Sequence, residues 1–117
     1  MGTVQEIEKD KMDAYSVISG YSPAFIDYFL NALVEAGQSI GLSKDESTKA
    51  VLATVEGSVA LAKASSYSLK ALCEQVCSPG GSTIEGVRVL INCKIENAIS
   101  EAVHASFEKK AYEIKGI

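Results

Sequence analysis

The chain has 117 residues, 47% apolar and 22% charged, enough for one folded domain and too apolar for a disordered one. Its net charge of −4, with no basic cluster, excludes an electrostatic footprint for nucleic acid and a polybasic face for anionic lipid. No apolar run reaches the ~18 residues of a membrane span, and the charged stretch Met1–Lys11 has no apolar segment of the signal-peptide kind.

Thr3 to Lys9 mixes Val4 and Ile7 with charges and reads as the last strand or linker of something upstream. Residues 1–11 are therefore assigned to a linker, and 12–117 to the domain proper. The domain reads as helical throughout. A short helix is expected over about Lys11–Ile18. Ser22-Pro23 then predicts a helix start, because serine is a favoured N-cap and proline at the first position loses only an orphan N–H. Phe25, Phe29, Leu33, Ala36 and Ile40 follow as one apolar stripe, and Gly41 marks the stop. Ser43-Lys44-Asp45-Glu46 is a capping box opening a helix to about Ala64, with Val51, Val55, Val59 and Ala62 on one stripe. Leu52, Ala53, Ala60 and Leu61 widen that stripe, so the helix is expected to be covered on more than one side.

Ser65 to Ser68 breaks the pattern, and Ser68 caps a short helix over Leu69 to about Val76. Ser78-Pro79-Gly80-Gly81 cannot continue it, since proline removes a donor and glycine disfavours a helix interior. Ser82-Thr83-Ile84-Glu85 reads as a second capping box. It opens a helix with Ile84, Val87, Leu90 and Ile91 on one face. The last helix is expected from about Lys94 to Ile114. The fold class is all-α, a bundle of about five or six helices. Alanine, glycine and serine are common along these helices and permit close approach of helix axes, which points to surface reserved for a partner chain.

Two glycines leading into a helix N-terminus describe a small-anion site. The backbone can approach a ligand closely there, and free N–H groups and the helix dipole favour negative charge. Ser78, Ser82 and Thr83 add hydroxyls around the same point. On residue chemistry alone a glycine-rich turn before a capped helix is the commoner explanation. The segment matches neither a dinucleotide fingerprint nor a P-loop.

Ser78-Pro79-Gly80-Gly81-Ser82-Thr83-Ile84-Glu85-Gly86 resembles the signature of pyrroline-5-carboxylate reductases. Ser19-Gly20-Tyr21-Ser22-Pro23-Ala24-Phe25 is similar to that family's Ser-Gly-Ser-Gly-Pro-Ala-Tyr/Phe segment. Ala32 to Gly37, Gly41-Leu42, Leu69, Gln75-Val76 and Ile99 to Val103 also follow the family pattern. The resemblance runs from about Met12 to Tyr112. It implies a domain that forms an intertwined homodimer, or a higher oligomer, and binds a small carboxylate, 1-pyrroline-5-carboxylate or proline. By position, the substrate site would comprise Ser78, Gly80, Gly81, Ser82 and Thr83. Ser78 and the Ser82 and Thr83 N–H groups would hold the carboxylate, and the Thr83 hydroxyl would face the ring nitrogen as the catalytic group. NADPH or NADH would be held by a Rossmann domain preceding residue 12, and this chain alone is expected to bind no cofactor and to be inactive. Tyr21 and Ser22 depart from the family's Ser-Gly, and added side chains there would crowd a nearby nicotinamide. The competing expectation is a helical dimerisation module without catalysis. A two-domain hydroxy-acid dehydrogenase fits less well, because its helical domain lacks this loop.

Cys73, Cys77, Cys93 and His104 match no usual zinc spacing, so no metal is assigned, and the cysteines read as buried structural thiols. The odd cysteine count agrees with reduced thiols in the cytoplasm. His104 has no assignable nucleophile partner. Glu56 is expected to face solvent or to pair with Lys63, and the scattered tyrosines form no base-stacking platform.

Overall fold

The computed structural model of the chain describes residues 9–114. Every regular element among them is helical. They are α1 (Lys9–Ser16), a π-helical turn (Val17–Tyr21), α2 (Ser22–Ser39), α3 (Lys44–Ala64), α4 (Leu69–Gln75), α5 (Ser82–Asn92) and α6 (Ile95–Ile114). The all-α class is the one the sequence predicts. Residues 1–8, read as the close of a strand or linker, lie outside the described residues, and α1 starts ahead of the expected Lys11. The chain divides into two compact bodies. One runs through Tyr28 and resumes at Lys94, and the other spans Phe29–Cys93.

In the first body the anchor is Val17, 1% exposed. It shares a small cavity with Val103 and Phe107 of α6. Here the structure corrects the sequence reading: Ser22 is not an N-cap. Its backbone is helical (φ −64°, ψ −24°), and α1 runs through the π turn into α2 without a break. Both the N–H and the hydroxyl of Ser22 donate to the Val17 carbonyl, the hydroxyl at 3.3 Å. The reason lies in Pro23, which in an α-helix would press on the Ser19 carbonyl and leave it without a donor. The wider π turn just before the proline shifts the hydrogen-bond register by one residue and lets the helix continue.

In the second body α2 ends in a Schellman motif. Gly41 has φ +121°, its N–H donates to the Gln38 carbonyl at 3.1 Å, and the Leu42 N–H donates to the Gly37 carbonyl at 3.1 Å. The chain then enters α3 through the capping box read from sequence. The Ser43 hydroxyl accepts from the Glu46 N–H at 3.1 Å, and the Glu46 carboxylate accepts from the Ser43 N–H at 2.9 Å. The Ser43 N–H donating to the carboxylate, and after it the nearby Ser43 hydroxyl, hold the Glu46 carboxyl below its ordinary 4.5. A carboxyl lowered by folding adds stability above its unfolded pKa and loses it as pH falls through the folded value. Ser43→Ala is expected to cost about 1 kcal/mol at pH 7, as N-cap losses do. The gap between variant and parent melting curves should narrow below pH 4, and a gap that widens in acid would contradict the assignment.

The two helices meet where Gly37 faces Ser47. Ser47 is 1% exposed, and its hydroxyl donates across the hairpin to the Val34 carbonyl at 2.8 Å. A Cβ on Gly37 would fall on Ser47 Oγ and lie 3.2 Å from Ser47 Cβ. Gly37→Ala should therefore destabilise by about 1–3 kcal/mol, the range for overpacking, despite alanine's better helix propensity. Adding Ser47→Ala removes the colliding oxygen and should recover part of that loss. Strictly additive losses in a double-mutant cycle would show that the two side chains do not meet.

The predicted apolar stripes are only partly buried within the chain. On α2, Val34 is buried and Leu30 and Gly37 are half-buried, whereas Phe29, Leu33 and Ile40 of the predicted stripe are exposed. The hairpin uses the neighbouring face, because only Gly37 admits Ser47. On α3, Val51 is buried and Val55 and Ala62 half-buried, but Val59 is 48% and Leu61 57% exposed. Residues two apart point about 200° apart around a helix. Helix α3 thus carries exposed apolar side chains on opposite sides.

Candidate functional site

The glycine-rich segment lies in the second body, between α4 and α5. Helix α4 is capped by Ser68, whose hydroxyl accepts from the Ala71 N–H at 3.1 Å, as expected. It ends at the C-cap Val76. Ser78-Pro79-Gly80-Gly81 then forms a β-turn closed by the Gly81 N–H donating to the Ser78 carbonyl at 2.9 Å. Gly80 has φ +78°, which makes this a type II turn with proline and glycine at the two central positions they favour. A Cβ on Gly81 would lie 3.1 Å from the Ser78 carbonyl oxygen, so the turn is tight at Gly81, whereas at Gly80 it is the positive φ that favours glycine.

The turn changes where α5 begins. The N-cap is Gly81 (φ −83°, ψ 168°), not Ser82, and no side chain caps the helix. The second capping box expected over Ser82–Glu85 does not form. Closure of the turn at Gly81 places Ser82 already inside the helix, and Glu85 pairs with Arg88 instead, at 3.0 Å. The first helical N–H groups, at Ser82, Thr83 and Ile84, lack an intrahelical acceptor by construction. With glycine at the cap, no side-chain oxygen takes their place. Ser78, Gly80, Ser82 and Thr83 are exposed and Gly81 half-buried, so all five predicted site residues cluster around one open helix N-terminus. Such a terminus attracts an anion through oriented N–H groups and the helix dipole. The cap role of Gly81 was missed, although Pro-Gly at the centre of the turn is its sequence signal.

The cysteines are not the buried thiols expected. Cys73 and Cys93 are exposed and Cys77 is half-buried, all three free. Among the described residues no group of three or more His, Cys, Asp or Glu side chains is placed to hold a metal. His104 and Glu56 are exposed, and no ion pair joins Glu56 to Lys63. In the first body, Lys110 Nζ lies 6.0 Å from the centre of the Tyr21 ring, at the outer reach of a cation–π contact.

A family model described as pyrroline-5-carboxylate reductase dimerisation matches residues 9–113. The chain belongs to this family. It is 34% identical to the pyrroline-5-carboxylate reductase of Aquifex aeolicus over 92% of this chain and 41% of that protein. To the reductase of Synechocystis it is 36% identical over 93% of this chain and 41% of the relative. The crystal structure of Plasmodium falciparum pyrroline carboxylate reductase with NADP bound superposes with TM-score 0.85 at 36% identity, covering 88% of this chain and 42% of that one. The Streptococcus pyogenes enzyme gives TM-score 0.85 at 33% identity, with 88% and 40% covered. The chain thus spans about 41% of the length of the curated relatives it matches. Within the pyrroline-5-carboxylate reductase family the matched part is the helical dimerisation domain, and the resemblance read from the Ser78–Gly86 segment is correct.

The relatives raise the question of a nicotinamide nucleotide. A dinucleotide site needs a strand, a glycine-rich turn and a helix in succession. The described residues include no strand, and their glycine-rich turn joins two helices. These residues do not fit a nicotinamide cofactor by themselves.

Proposed function

We propose that the chain is the part of a proline-forming reductase that assembles the oligomer and holds the substrate's carboxylate. The observation that carries the second role is the uncapped N-terminus of α5 behind the Ser78–Gly81 turn. The carboxylate of 1-pyrroline-5-carboxylate sits against the Ser82 and Thr83 N–H groups, with the Ser78 hydroxyl beside it. The Thr83 hydroxyl faces the ring nitrogen. NADPH or NADH, held by residues outside this chain, would supply the hydride. As the imine is reduced, negative charge moves onto nitrogen, and a hydroxyl donor placed there stabilises it. Binding and polarity are what this chain contributes. Alone it is expected to oxidise no NADPH.

Support for the assembly role comes from α3. Apolar side chains exposed on opposite sides of one helix are surface that the chain itself leaves uncovered, and a second copy of the chain supplies the missing cover. We place the protein in the cytoplasm. Three free thiols suit a reducing compartment, and no helix of the described residues is long and apolar enough to cross a membrane.

The test of the carboxylate site is a titration with L-proline followed by amide NMR shifts. Saturable shifts at Gly80, Gly81, Ser82 and Thr83 are expected. A folded, assembled chain with no shifts up to about 50 mM proline would refute the site. That concentration corresponds to only ~1.8 kcal/mol of binding.

A further inference from the structure

We draw no further inference here: the strongest candidate, the exposed apolar stripe of Met12, Tyr15 and Ile18 along α1 and the π turn, is left open by the first body, and nothing in the structure shows what covers it.

Discussion

Leu61→Glu should convert the assembled protein into dissociated chains at micromolar concentration, raising the dissociation constant by roughly two to three orders of magnitude. The exposure of Leu61 (57%) and its place opposite Val59 mean that the substitution disturbs little of the chain's own packing. On the proposed assembly, what it does disturb is the contact with a second copy. A carboxylate forced into an apolar interface without a partner costs about 3–5 kcal/mol, and each ~1.4 kcal/mol is tenfold in affinity. Among the described residues few side chains are buried within one chain: Val17, Val34 and Val51 of the hydrophobic ones, with Ser47. Dissociation should therefore also lower helicity, and the melting temperature of the parent should rise with protein concentration. Analytical ultracentrifugation with circular dichroism over a dilution series reads both effects. Lys49→Gln, at an exposed position in the polar first turns of α3, serves as the control that leaves assembly intact. A Leu61→Glu chain that stays assembled and fully helical would show that this side of α3 faces water.

Gly80→Val should weaken L-proline binding at least tenfold while leaving α3 and the oligomer in place. At φ +78° an L-residue carries about 1–2 kcal/mol of strain, and a β-branched one more. The turn relieves that strain by opening, which releases the Gly81 N–H from Ser78 and moves the first N–H groups of α5 off their common focus. Gly80→Asn should retain more affinity, since asparagine tolerates positive φ. That ordering, glycine above asparagine above valine, separates a backbone requirement from simple crowding. Equal affinity in all three would mean that the turn does not shape the site.

The caps were the most legible part of this sequence. Ser43 with Glu46, Ser68, and Gly41 as the left-handed terminator each depend on residues a few positions apart, and each stands as predicted. The misreadings share one cause: a local signal was overridden by what lies next to it. Ser22-Pro23 has the composition of a helix start, but Val17 is seated against α6 and the π turn carries the helix through. Ser82 to Glu85 has the composition of a capping box, but the Pro-Gly turn ahead of it hands the cap to Gly81. The break between α5 and α6 is made by Lys94 at φ 55°, without the glycine that would announce it. The apolar stripes were legible as stripes, and much of each is exposed within one chain. Hydrophobic periodicity reports that a face is covered, not by which molecule. The glycine-rich turn ahead of a helix start was legible because it is a local feature. The identity of the anion came from resemblance to the family alone.

If this chain completes a proline-forming reductase, as proposed, a chimera should show it. The chain replaces the matching C-terminal part of the Synechocystis relative, behind that protein's own preceding residues. A folded, assembled chimera that binds NADPH should reduce 1-pyrroline-5-carboxylate, and Thr83→Val should lower its kcat with little change in assembly. A chimera that assembles and binds NADPH but leaves the imine unreduced would rule out the substrate role and leave the chain as an assembly module alone.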